Sequence, residues 1–351
     1  MFQVLSFAYF IFVTTCTVIK REPKSFKLDF KIGSSNLKRN YISYDLQNTQ
    51  TQYLIELTVG ANLQKFRVAL DTGSSELWIP TPNAICPNNR CKSRDTFDPS
   101  TSTSFTNLNL PIKDYYVDNT YAIGTYGLDD VYLSNGVKLS QFQFGSIFNT
   151  TEDTVGYLGI DYPIYETQNI TDKIAYSLYL NSEYAESSIL FNAIDKAKYQ
   201  GELVLLDVDT DDVSVNTTDI LIDGVSIGFQ DNLILDSGST DIFLQPQYVN
   251  QIWQVMGVNN KYIDCNQPSN KFLTLKFNDI DINIPFSSLV RQSDKAGICW
   301  VGISPTISGS KNYAGDFFLR AVYAAYNLET RKIGIAPALY TDAENIVDFW
   351  F

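Results

Sequence analysis

The chain has 351 residues, 44% of them hydrophobic, with 22 Tyr, 22 Phe and no histidine. That length can bury a large core and predicts two domains, while the missing imidazole excludes Ser-His-Asp and Cys-His catalysis and the common His-containing zinc sites. A formal charge of −13 argues against nucleic acid as a partner, because phosphate binding needs basic patches, and it suits work in acid, where protonation relaxes self-repulsion.

Met1 to Thr17 reads as a signal peptide: Phe2 to Val13 is mostly apolar, and small residues follow from Thr14 to Thr17. The run is too short to span a membrane, no later stretch is long enough, and Asn345–Phe351 lacks the tail of a GPI signal. A secreted protein without a membrane anchor is expected. Lys20-Arg21 and Lys38-Arg39 read as cutting sites for a kexin-type processing protease, which makes 18–39 a short basic propeptide. Residues 22–39 carry five basic and two acidic side chains, against 19 basic and 37 acidic from Asn40 onward. The segment therefore reads either as a mask over an acidic cleft or as an exposed charged linker.

Tyr53–Val59 and Phe66–Leu70 are strand-like and flank Gly60-Ala-Asn-Leu-Gln64, a hairpin turn. Asp71-Thr72-Gly73-Ser74 follows the second strand directly. Further short apolar runs at 131–133, 142–148, 203–206, 220–227, 272–277 and 298–303 predict strands, and the richness in aromatic and β-branched residues favours β structure throughout. Residues 161–186 are polar and tyrosine-rich without periodicity. A lobe boundary at their end divides the chain into 40–185 and 186–351. Pro246 to Met256 predicts a helix, with proline at its start, Tyr248, Val249, Ile252, Trp253 and Met256 on one face, and Gly257 to end it.

The string at Asp71 recurs. Asp236-Ser237-Gly238-Ser239 lies 165 residues further on, again after an apolar run, Leu233-Ile234-Leu235. A single copy would mean little more than an Asx-type turn. Two copies in matching settings are what is needed to hold two carboxyl groups face to face, and like charges that close keep one proton between them. Tyr157-Leu158-Gly159 and Tyr313-Ala314-Gly315 follow their aspartates at similar distances, which points to two copies of one lobe. Beyond the signal segment, Cys86, Cys91, Cys265 and Cys299 remain; of their three connectivities, local pairing is the simplest. Asn149, Asn169 and Asn216 head Asn-X-Thr sequons for glycosylation.

With Asp71-Thr-Gly-Ser-Ser-Glu-Leu-Trp78, Ala175-Tyr-Ser-Leu-Tyr-Leu-Asn-Ser182, Ala197-Lys-Tyr-Gln-Gly201, Leu233-Ile-Leu-Asp-Ser-Gly-Ser-Thr240 and Gly315-Asp-Phe-Phe-Leu-Arg320 assembled, the chain resembles pepsin-family aspartic proteases, in particular the secreted candidapepsins of yeasts. The resemblance runs from about Tyr53 to Tyr340. It implies an all-β, bilobal fold with a cleft between related lobes, and a monomer that cleaves protein or peptide substrates at acid pH without metal or cofactor.

Residue by residue, Asp71 and Asp236 match the family's catalytic pair. Thr72 and Ser237 match hydroxyls that cross-brace the two loops, and Ser74 and Ser239 match those bonded to the outer carboxylate oxygens. Gly73 and Gly238 match positions that leave room for substrate backbone, with Thr240 beside them on the substrate side. Tyr116 matches the flap tyrosine, Asp118 stands next to it, and Trp78 matches its hydrogen-bond partner. The implied disulfides are Cys86–Cys91 and Cys265–Cys299. The flap departs from the family's Tyr-Gly-Asp-Gly-Ser: here it reads Tyr116-Val117-Asp118-Asn119-Thr120, with both glycines replaced. Asn tolerates left-handed backbone, whereas Val does not sit well there. A catalytically silent peptide binder and a two-carboxylate glycosidase are the alternatives to a protease.

Overall fold

A computed structural model describes residues 26–33, 52–87, 96–116, 119–133, 137–151, 156–160, 173–181, 186–209, 213–307 and 309–351. The predicted first hairpin forms from Gln52–Val59 and Gln64–Asp71. Tyr53, Ile55, Leu57 and Val59 are fully buried while Glu56 between them is exposed, the period of two of a half-covered strand. The second strand alternates at its start and then buries every residue from Val68 to Asp71. Its end is covered on both faces, and there the catalytic-type string begins.

Around Asp71 the chain folds back on itself. Tyr157–Gly159 slots in parallel to Gln64–Asp71 and antiparallel to Leu77–Ile85, so that Asp71 pairs with Gly159. The same arrangement recurs around Asp236. Asn312–Ala314 runs parallel to Asp231–Leu235 and antiparallel to Ile242–Leu244. Outside each set lies another parallel partner, Lys138–Thr150 beside Leu77–Ile85 and Ile303–Pro305 beside Ile242–Leu244. The two apolar-apolar-Gly strings are thus the inserted strands of two equivalent frames. Glycine is required at both. A Cβ on Gly159 would come within 2.5 Å of Glu76 N, and one on Gly315 within 2.3 Å of Ser239 O.

A bridging sheet runs in the order Val204–Asp207, Lys332–Pro337, Val322–Asn327, Ala175–Tyr179, Glu186–Phe191, Phe26–Gly33 and on to Gln52–Val59 of the first frame, while the second frame forms a sheet of its own. Phe26–Gly33 lies inside the segment read as a propeptide, paired with Glu186–Phe191 on one side and with residues 52–54 on the other. A buried apolar cluster runs beneath both frames, from Tyr53 and Phe66 through Tyr176 to Leu233 and Phe318. The helix spans Pro246–Met256 as its signals predict, and Gly257 ends it in the left-handed conformation at φ 78°. Trp253 Nε1 donates to Ile303 O at 3.0 Å and ties the helix to the second frame.

Three expectations need correction. The run 220–227 is a hairpin: Asp219–Ile222 turns at Asp223 and Gly224, both at positive φ, into Val225–Ser226. The run 298–303 breaks at Gly302, where a Cβ would meet the Phe317 ring at 2.2 Å. Finally, the aperiodic 161–186 contains the strand Ala175–Tyr179, buried at every position. A strand covered on both faces shows no alternation. Its polar groups are satisfied instead, with Ser177 Oγ donating to Ala193 O at 2.7 Å.

Candidate active site

The two Asp-Thr/Ser-Gly-Ser loops meet where the frames face each other, and each carboxylate is held in the same way. Gly73 N–H donates to Asp71 Oδ1 at 2.8 Å and Ser74 Oγ to Asp71 Oδ2 at 2.5 Å. Gly238 N–H donates to Asp236 Oδ1 at 2.8 Å and Ser239 Oγ to Asp236 Oδ2 at 2.6 Å. Beneath them the loops exchange hydrogen bonds. Thr72 Oγ1 donates to Leu235 O at 2.8 Å, and Ser237 Oγ donates to Leu70 O at 2.9 Å. Each hydroxyl also accepts the other loop's backbone N–H, Thr72 N to Ser237 Oγ at 3.2 Å and Ser237 N to Thr72 Oγ1 at 2.9 Å. Tyr326 adds a donor to Leu235 O at 3.2 Å from the bridging sheet.

The aspartates are 5% and 6% exposed, and both line the cleft. They are dry enough for burial to matter and open enough to meet a ligand. Their carboxyl groups come together beside Gly238, where a Cβ would lie 2.5 Å from Asp71 Oδ1 and 3.1 Å from Asp236 Oδ1. A methyl on Gly73 would sit 2.6 Å from Asp236 Oδ1, and one on Gly238 2.5 Å from Asp71 Oδ1. Only glycine lets each loop come this close to the opposite acid. Burial and, after it, the negative charge of Asp236 push the Asp71 carboxyl well above the usual carboxylate range.

Above the first frame stands the hairpin Thr106–Tyr115 and Tyr121–Leu133. Its tip is closed by Tyr116 N–H to Thr120 O at 2.9 Å and Asn119 N–H to Tyr116 O at 3.0 Å. Asn119 has φ 68°, so asparagine adopts the left-handed backbone where the family pattern has glycine. Val117 and Asp118 lie outside the described residues. Trp78 is buried and its Nε1 donates to the Tyr116 hydroxyl at 2.6 Å. Tyr157 packs against both rings, with centroids 5.4 Å from Trp78 and 5.6 Å from Tyr116.

A family model for eukaryotic aspartyl proteases matches residues 52–338. Similar proteins include candidapepsin-3 of Candida albicans (strain WO-1), 33% identical over 89% of this chain and 85% of the relative. Secreted aspartic protease 5 of Candida albicans is 33% identical over 88% and 82%, and candidapepsin of Candida tropicalis 31% identical over 98% and 96%. The chain belongs to the eukaryotic aspartyl protease family. It is an aspartic endopeptidase that acts on peptides or proteins, and the glycosidase alternative falls.

In this protease Cys265–Cys299 is a disulfide with Cα atoms 4.9 Å apart. Cys86 is disulfide-bonded as well, and Cys91 lies outside the described residues. Asn216 is exposed on Ser214–Thr217, Asn149 is half-buried on Lys138–Thr150, and Asn169 lies outside the described residues. Thr240 lines the cleft. Among the described residues no helix is long and apolar enough to cross a membrane, and no cluster of three or more His, Cys, Asp or Glu could hold a metal.

Sequence reasoning missed several cleft-lining residues: Tyr157, Asp241, Phe243, Arg291 and Tyr313. Two of them carried a signal. Tyr157 and Tyr313 hold the same place in the repeated apolar-apolar-Gly strings, and both face the site.

Proposed function

We propose that Asp71 and Asp236 are the catalytic pair and that peptide hydrolysis proceeds through water held between them. Two carboxyl groups held this close share one proton rather than ionise together, as in aspartic proteases generally. The ionised member takes a proton from water as it attacks, and the protonated member polarises the peptide carbonyl. A tetrahedral diol forms, the leaving nitrogen gains a proton, and the peptide splits with no covalent intermediate on the enzyme. The observation that carries this reading is the meeting of the Asp71 and Asp236 carboxyl groups beside Gly238, each fixed by a glycine N–H and a serine hydroxyl.

On this reading Thr72 and Ser237 are positioning residues, Gly73 and Gly238 admit substrate backbone, and Tyr116 with its Trp78 hydrogen bond closes over bound peptide. Asp118, Ser74, Ser239 and Thr240 complete the site. The raised Asp71 carboxyl sets the pH dependence. The shared proton is present in acid and lost as pH rises, so turnover falls toward neutrality. The test is cleavage of a denatured protein in acid: pepstatin-sensitive cleavage supports the pair, and full activity of Asp71→Asn or Asp236→Asn rules it out.

The protein is secreted, as the names of its relatives state for them, and 1–17 is its signal peptide. A kexin-type protease releases 18–39 at the dibasic pairs, the lobes are 40–185 and 186–351, and the mature enzyme is a glycosylated monomer. Support for the propeptide lies in Phe26–Gly33, which sits as a strand between Glu186–Phe191 and residues 52–54. After a cut at Arg39 that strand would no longer be joined covalently to the enzyme. Mass spectrometry of the secreted protein, with and without glycosidase treatment, fixes the mature N-terminus and the occupied sequons.

A further inference from the structure

The wall of the cleft on the Asp236 side holds a cation that the hydrolytic chemistry does not use. Arg291 stands on the strand Val290–Gln292, directly paired with Trp300 of Ile298–Val301. Its guanidinium carbon lies 5.0 Å from the centre of the Trp300 ring, a packing that suits a planar, weakly hydrated cation. The side chain is 14% exposed, and Arg291 lines the cleft together with Asp241, Phe243 and Tyr313.

The guanidinium is poorly satisfied. Nε and Nη1 are buried without a hydrogen-bond partner. Nη2 lies 3.9 Å from Asp241 Oδ1, an ion-pair distance too long for a hydrogen bond. Asp241 is committed elsewhere: its Oδ2 accepts from Ser304 Oγ at 2.6 Å, and its Oδ1 is buried without a hydrogen bond of its own. A guanidinium so poorly satisfied gains from an acceptor brought to Nη2, and most from a carboxylate, whose hydrogen bond is charge-assisted. A lysine entering the same place would face the guanidinium charge. An apolar side chain would dry the guanidinium further and give nothing back.

We propose that Arg291 is a specificity-determining residue, selecting peptides that carry a hydrogen-bond-accepting side chain opposite it, with Glu or Asp preferred. The proposal rests on the cleft being the peptide-cleaving site. It assigns a substrate class to one subsite of that cleft and leaves the aspartate chemistry untouched.

The test uses matched peptides that differ at one position, Glu, Gln or Leu, with that position moved in turn along both sides of the cut. Cleavage is followed near pH 5, where most glutamate is ionised. At one position the wild-type enzyme should give kcat/KM in the order Glu, Gln, Leu, with Glu about tenfold above Leu, the ratio that about 1.4 kcal/mol produces. Arg291→Leu should bring that ratio to about one or below. Arg291→Glu should turn the preference toward Lys.

An unchanged Glu-to-Leu ratio in Arg291→Leu overturns the proposal, as does a wild-type enzyme with no acceptor preference at any position. Should Arg291→Leu fail to fold, Arg291→Gln, which keeps a polar stem and loses the fork, must lower the ratio to about two; no change there also overturns it. Failure of the aspartic mechanism looks different, because Asp71→Asn would then still cleave the Leu peptide.

Discussion

Five residues beyond each paired aspartate the chain carries another acid, Glu76 after Asp71 and Asp241 after Asp236. The two positions are equivalent in the repeated frames, yet they meet opposite company. Glu76 faces acid: Asp114, on the flap strand two residues before Tyr116, is pushed up to about 6 by burial and then by the charge of Glu76. Burial and, after it, the charge of Glu76 raise the Tyr126 hydroxyl as well. Asp241 faces base, the Arg291 guanidinium. The duplicated hydrogen bonds under the carboxylates are nearly identical in the two halves, while the acids five residues on have opposite electrostatic surroundings. The floor of the cleft is repeated, and what flanks it is not.

The floor should respond symmetrically. Asp71→Asn and Asp236→Asn should each lower kcat in acid by about 10² to 10⁴ or more, the usual worth of a positioned acid or base. Circular dichroism should show both variants folded. A large loss in one and a small loss in the other would break the equivalence. Next in size, Ser237→Ala takes the hydroxyl partner from Leu70 O and from Thr72 N–H, whereas Thr72→Val takes it from Ser237 N–H and leaves Leu235 O its Tyr326 donor. Each should cost about 1–3 kcal/mol in urea unfolding, with Ser237→Ala the larger.

The walls should respond with opposite signs. Asp114 binds its proton more tightly folded than unfolded, its value rising from 3.8 to about 6. Its contribution to stability is therefore whole below the unfolded value and is lost as pH rises through about 6. Asp114→Asn should raise the melting temperature at pH 7, on the order of 2 °C, and change little at pH 3.5. Asp241→Asn should lower it at pH 7, because Arg291 loses its nearest countercharge. Thermal scans at the two pH values decide, and shifts of the same sign would dissolve the contrast. Smallest of all, Asn119→Ala forces an ordinary side chain to φ 68° and should cost about 1 kcal/mol, read as a weaker KM with kcat nearly kept.

Much of the floor was legible in sequence because it repeats. The Asp strings, the apolar runs before them and the apolar-apolar-Gly strings announced two equivalent frames, and helix 246–256 carried its own start and stop. The bridging strand Ala175–Tyr179 was not legible, since burial on both faces removes alternation. Asp223-Gly224 hid a turn inside an apolar run, and Gly302 hid a break that only the Phe317 ring explains. The walls were least legible. Asp241 and Arg291 are 50 positions apart and come together only because Ile242–Leu244 and Val290–Gln292 are brought to one side of the cleft. Nothing local marks either residue as part of a site.

Reciprocal hydrogen bonds, Thr72 reaching to Leu235 and Ser237 reaching back to Leu70, are what an isologous contact between identical subunits would make. Two separate copies of such a half would be bound to present the same face twice. A polypeptide ligand has no two-fold axis; it runs from amino to carboxyl end. Joining both halves covalently lets Glu76 and Asp241 acquire different neighbours, so the two halves need not present one face twice to a directional substrate.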